Sequence, residues 1–197
     1  MLDKNPDLSL DCDLASIQDE LKGHAPSIVL CREPFHKAEF LDRMIGSAGC
    51  PVVFVDMDLL YTGYLRSAMI QGRDDVTVVC PDKKDWRKRL ADIIVRASEE
   101  RILIVIDTFN GAYNIFDDLE SVRLVNSCIM LLSCMGRQTG SSVIVAAMAR
   151  RREDGRWVLS PGGRQVMSSE RTGIFFLRKA ADGLTVSRLG TGPGPVF

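Results

Sequence analysis

Apolar residues recur along the chain in two patterns. Continuous runs rich in Val and Ile fall at 27–31, 51–56 (PVVFVD), 76–80 (VTVVC), 101–107 (RILIVID), 141–147 (SSVIVAA), 172–178 (TGIFFLR) and 184–189 (LTVSRL). The middle runs do not alternate with polar residues, the mark of strands covered on both faces. Between them the apolar positions follow a helical period. Phe40, Leu41, Met44, Ile45 and Ala48 share one face, and Trp86, Leu90, Ile93, Ile94 and Ala97 form a stripe within 84–99. Leu119, Val122, Val125, Ile129, Leu132 and Met135 form another within 118–136, behind Asp117 or Asp118 as N-cap. A short leading helix is predicted over 13–23. Strands alternating with helices and closed by two further strands predict an α/β fold: a largely parallel central sheet flanked by helices, with antiparallel C-terminal edge strands. The predicted organisation is an N-terminal segment with a short helix (1–24), a core domain (25–189) and a flexible tail (190–197) opening on GTGPGP.

Composition narrows the picture. The 197 residues carry 25 Lys and Arg against 26 Asp and Glu, a net charge of −1, so any basic surface for nucleic acid must be local. The N-terminus MLDKNPDLSLDCD is polar and acidic, unlike a secretory signal, and no continuous apolar run reaches membrane-spanning length. The six cysteines (12, 31, 50, 80, 128, 134) include no C-x-x-C pair, which predicts reduced thiols in an intracellular setting, cytoplasmic or, in a eukaryote, nuclear.

Parallel sheets carry function at the carboxyl ends of their strands, and four such places stand out. The segment Cys31–Ala38 (CREPFHKA) lies between a strand and a helix, where a P-loop, G-x-x-x-x-G-K-[ST], belongs. Lys37 falls on the lysine of that template, but Cys31 and His36 replace its glycines, Ala38 its hydroxyl, and Pro34 lacks an N–H. Glycines bring backbone N–H groups close to phosphate oxygens, so the substitutions predict poor phosphate cradling. Lys37 and Arg32 still leave positive charge near a helix N-terminus, suited to a weakly held anion. Asp107 closes an apolar strand, either as a Walker-B aspartate that helps hold magnesium or as a helix-capping or turn residue. Asp56 and Asp58, in VDMD, end the preceding strand and either polarise a water or cation or begin the next turn and helix. Finally, the segment 148–171 holds Arg150, Arg151, Arg152, Arg156, Arg164 and Arg171 with Trp157 and a Pro-Gly-Gly. It is either a solvated β-hairpin or a phosphate-pairing and base-stacking loop for single-stranded nucleic acid.

Taken in succession, these positions resemble the ATPase core of the RecA/RadA superfamily, most of all the archaeal RadA and RadB branch, over about residues 25–195. ILIVIDTFNGAYN, SSVIVAAMA and SPGGRQVMSSERTGIFFLRKAADGLTVSRL carry the likeness. It implies a RecA-like P-loop NTPase core with a degenerate Walker A loop. Lys37 and Asp107 would then be the nucleotide-binding lysine and magnesium aspartate, and Asp58 the water-positioning carboxylate, one methylene shorter than the family's glutamate. Met148 stands where the family has a phosphate-sensing glutamine, and the segment that follows corresponds to a DNA-binding loop. The resemblance implies a non-catalytic or weakly catalytic recombinase paralogue that binds single-stranded DNA, a recombinase partner or both, in homologous recombination and DNA repair. An ATP- and Mg-dependent DNA-binding ATPase with an atypical loop is the first alternative. A structural subunit of a homo- or hetero-oligomeric assembly, Elongator-like or KaiC-like, is the second.

Overall fold

A computed structural model of the chain describes residues 8–9, 13–116, 118–151, 153, 157–159, 167–181 and 183–190. Of the predicted tail, 190–197, Gly190 instead ends the last strand, and 191–197 lie outside the described residues, as do Arg152, Arg156, Arg164 and the side chain of Trp157.

Six parallel strands make the centre of the sheet: β2 (Ser27–Cys31), β3 (Val52–Asp56), β4 (Val76–Val79), β5 (Leu103–Asp107), β6 (Ser142–Arg151) and β8 (Gly173–Ala180). Their spatial order is β8-β2-β6-β5-β3-β4, so β6 is inserted between the strand leading to Lys37 and the strand ending at Asp107. β9 (Gly183–Gly190) returns antiparallel on β8, as expected for a closing edge. β1 (Leu8–Ser9) pairs antiparallel with β9, which brings the N-terminal segment into the sheet. Two residues are too few to show a period, so this strand is not legible in the sequence. β7 (Trp157–Leu159) folds back on the end of β6, with Arg151 opposite Trp157, so the arginine-rich segment begins as a β-hairpin.

The central strands β2, β3 and β5 are dry on both faces, while the edge strand β4 is half-buried with Thr77 exposed. Alternate residues of one strand serve opposite layers: Ile28 and Leu30 join Ile104, Ile106, Val143 and Val145 on one side, and Val29 and Cys31 join Val105, Ile144 and Ala146 on the other. The first side is covered by α4 (Trp86–Glu99), α5 (Phe109–Ile115) and α6 (Leu119–Thr139), the second by α1 (Leu14–Lys22), α2 (Pro34–Gly46) and α3 (Leu60–Arg66). Asp118 is the N-cap of α6, accepting from the Ser121 backbone N–H at 2.6 Å. By length and composition α6 is long and apolar enough to cross a membrane. Its stripe of Val122, Val125, Ile129 and Leu132 is instead buried in the core. The seven-residue helices α3 and α5, each following a strand end, are too short for sequence periodicity to announce.

Candidate functional site: a closed ion cluster beside an open basic notch

The loop between β2 and α2 is short. β2 ends at Cys31 and α2 already begins at Pro34, leaving Arg32 and Glu33 between them. Proline suits the first position of a helix, where its missing N–H would have no partner, so Pro34 starts the helix early. Lys37 therefore sits on the first turn of α2, and its own N–H donates to the Glu33 carbonyl at 3.1 Å. That N–H is spent inside the helix.

The side chain of Lys37 points inward and is wholly buried, 0% exposed. Its Nζ lies 2.6 Å from Asp107 Oδ1 and donates to Asp58 Oδ2 at 3.0 Å. Asp107 is equally buried at the end of β5. Asp58 is brought beside it by the chain that leaves β3. Asp56 pairs with Asp107 in the sheet register, and the Met57 N–H donates to the Asp107 carbonyl at 2.6 Å. On the far side Gly111 of α5 presses on Met57, where an added Cβ would lie 2.8 Å from the Met57 backbone. Only glycine allows so close an approach.

Asp58 serves two purposes. Its Oδ1 accepts from the Leu60 N–H at 3.1 Å at the start of α3, and its Oδ2 accepts from the Thr108 hydroxyl at 3.0 Å in addition to Lys37. Asp56, also fully buried, accepts from the Thr62 N–H at 2.7 Å. The VDMD carboxylates thus begin the next turn and helix, as the second of their two readings has it, with Asp58 also paired to Lys37. Asp56 Oδ1 and Asp107 Oδ2 accept no hydrogen bond among the described residues.

The charges follow from this burial. Desolvation alone would lower the pKa of Lys37, but Asp107 and Asp58 outweigh it and hold the ammonium charged above its ordinary range. Burial raises the Asp107 carboxyl to about 7, against the pull of Lys37 and with the push of Asp58 and Asp56. Burial works on Asp58 as well, yet Lys37 and the donors from Leu60 and Thr108 leave it below the usual carboxylate range. Asp56 is raised by burial against its bond from Thr62. One ammonium thus pairs with two of three clustered carboxyl groups, and the like charges disfavour ionising all three.

Ligand atoms of Asp56, Asp58 and Asp107 lie within 4.8 Å of one another, a spacing that suits a metal ion. Lys37 Nζ already supplies the cation there. A nucleotide fits this place poorly too. The turn is two residues long, its glycine positions carry Cys31 and His36, and the buried Ala38 has no hydroxyl for magnesium. Phe35 and His36 both lie outside the buried Lys37 cluster. Phe35 is 47% exposed with its ring edge-on to Tyr64 at 5.9 Å, and His36 is half-buried at the surface. Lys37 is turned away into the cluster, paired with Asp107 and Asp58.

Around the corner the same sheet edge is open. β2 stops at Cys31, while β6 continues past Met148 to Arg151 and β8 past Phe176 to Ala180. A notch of about 430 Å³ remains, walled by Arg151, Arg178 and Lys179 and floored by Arg32, Glu33 and His36. Arg150, also exposed, is opposite Val158 in the hairpin and does not line the notch. Arg171 stands elsewhere. It precedes β8, and its carbonyl accepts from the Ala25 N–H at 2.9 Å, at the opposite edge of the sheet from Arg150 and Arg151. Among the described residues, Arg32, Arg178 and Lys179 replace it beside the hairpin. Met148, at the glutamine position of the resembled family, is fixed by its backbone. Its N–H donates to Asn110 Oδ1 at 2.7 Å, and its carbonyl accepts from Asn110 Nδ2 at 3.1 Å.

No family model matches the chain, and no curated protein matches it in sequence. Among solved structures it is similar to the RadB recombinase, with a TM-score of 0.56 and 14% identity over 89% of this chain and 86% of that one. A second similar structure is an ATPase domain, with a TM-score of 0.48 and 11% identity over 88% of this chain and 84% of that one. The fold is RecA-like: a mostly parallel sheet with helices on both faces and antiparallel edge strands.

Proposed function

We propose that this chain is a RecA-like paralogue in which the hydrolytic centre has been exchanged for an internal ion cluster. It acts by binding single-stranded DNA, a recombinase partner or both in recombination and repair inside the cell. The observation that carries the reading is Lys37. A lysine that serves phosphate must reach it, and this one is 0% exposed and held by two carboxylates at 2.6 and 3.0 Å. Phosphoryl transfer depends on groups positioned around a bound nucleotide, and here those groups satisfy one another. The fold shared with the RadB recombinase and the cationic hairpin support the nucleic-acid half of the reading.

Two measurements test it. Phosphate release from ATP and magnesium should stay at background for the wild type and for Asp107→Ala alike; turnover abolished by that substitution would establish the ATPase alternative. A labelled oligo-dT 20-mer should bind at low salt and be released steeply as salt rises, as phosphate contacts require. Absence of oligonucleotide binding, together with failure to retain a recombinase on an affinity column, would overturn the proposal and leave the structural-subunit reading.

A further inference from the structure

The notch at the end of β2 follows from strand lengths. β2 turns into α2 after two residues while its neighbours on both sides run on, so a gap must open above it. Three separate elements then bring cations to that gap: Arg32 from the turn, Arg151 from β6, and Arg178 and Lys179 from β8. Half-buried His36 adds an imidazole, and among the described residues Glu33 is the single carboxylate in the lining. In a chain of net charge −1 this is a concentrated excess of positive charge. It lies in a concavity whose volume is typical of ligand sites. Arg32 stacks over the Phe176 ring at 5.8 Å and Arg178 donates to the Thr185 hydroxyl at 3.2 Å, so neither guanidinium hangs loose in solvent. Held guanidiniums are suited to bidentate phosphate pairing, because little rotamer freedom is left to lose.

We infer that this notch is a phosphate-ester site. The chain takes hold of phosphate with Arg32, Arg151, Arg178 and Lys179, one step along the sheet edge from the closed Lys37 cluster. Resting on the nucleic-acid reading above, the ligand is the backbone of a single strand that enters between β6 and β8. A free nucleotide would present the same chemistry, and the experiment separates the two.

The test compares the wild type, Arg32→Ala/Arg178→Ala, and a charge-matched control, Arg137→Ala/Arg171→Ala, whose residues line a different pocket at the opposite edge of the sheet. Anisotropy of a fluorescein-labelled dT 20-mer and calorimetry with ATP are read on each. The notch variant should weaken the 20-mer about tenfold or more and flatten the salt slope by roughly one per lost phosphate contact, while the control binds as wild type does. Lys179→Glu, a single exposed reversal, should do the same and serves as the second variant if the double one misfolds. Loss of ATP binding in the notch variant, with no oligonucleotide binding by the wild type, would keep the site and make its ligand a nucleotide. Equal oligonucleotide binding by all variants would overturn the site while leaving the DNA-binding reading intact. A wild type that binds neither ligand would overturn both.

Discussion

Two places on one sheet edge use charge in opposite ways. At the ends of β3 and β5, Lys37, Asp56, Asp58 and Asp107 are folded inward, and the charge they carry is spent on holding two strand ends, α2 and α3 together. At the ends of β2, β6 and β8, four cations and, among the described residues, one carboxylate line an open space. The first arrangement is bound up with folding stability, because burying charge is tolerable only when it is paired. The second contributes little to the fold, because exposed charges are well solvated whether or not they are paired. Substitutions in the two places should therefore separate: in the cluster they act on stability, in the notch on binding.

The largest effect is expected at Lys37. Lys37→Ala leaves Asp58 and Asp107 buried without their cation, and breaking a buried pair in this way costs on the order of 3–5 kcal/mol. The deficit should be greater at pH 8 than at pH 5, since Asp107, already raised to about 7, can shed its charge by taking up a proton as the pH falls. Urea unfolding at the two pH values measures it. A variant as stable as the wild type at pH 8 would mean that the ammonium is not needed where it lies, and the distinction between the two places would collapse.

Asp107→Asn tests the same cluster by its pH dependence. The carboxyl of Asp107 has a folded-state pKa of about 7 against an ordinary 3.8, so the folded state holds its proton more tightly than the unfolded one. The stability this contributes is complete below pH 3.8 and is lost as pH rises through 7, with a slope of at most about 1.4 kcal/mol per pH unit. Asp58 has the opposite sign: its lowered pKa contributes stability above 3.8 that disappears as pH falls through the folded-state value. Comparing wild type with Asp107→Asn from pH 4 to 8 should show the wild type losing stability relative to the variant across that window. A difference that does not change with pH would refute the raised pKa of Asp107.

Much of this contrast was legible in the sequence, and the parts that were not have physical reasons. The doubly buried strands announced themselves as unbroken Val and Ile runs, and α4 and α6 as stripes, because both faces of the central strands are dry. Lys37, Asp58 and Asp107 stood out as charged residues at strand ends. Which way Lys37 points did not, since a template match fixes position along the chain and not the direction of a side chain. The clue was Pro34, a residue that begins helices and so shortens the turn. The notch was harder to read. Arg32, Arg151 and Arg178 lie far apart in sequence, and only the register Leu30↔Phe176 and Cys31↔Met148 shows that their strands end at unequal heights around one gap. Arg171 illustrates the converse: near to the hairpin in sequence, it is at the far end of a parallel strand.

The smallest effect on stability is expected in the notch, and there its smallness is the informative result. Arg32, Arg151, Arg178 and Lys179 are all exposed, and substitutions at such sites usually change stability by about 0.5 kcal/mol or less. Arg178 is the one to watch, because its bond to Thr185 ties β8 to β9 at a pair of directly opposed residues. If Arg178→Ala unfolds at the same urea concentration as the wild type and yet weakens oligonucleotide binding, then its charge serves a ligand. If it costs as much as Lys37→Ala, the guanidinium is a structural strap between edge strands. The two places would then differ only in depth, with charge in both serving to hold strand ends.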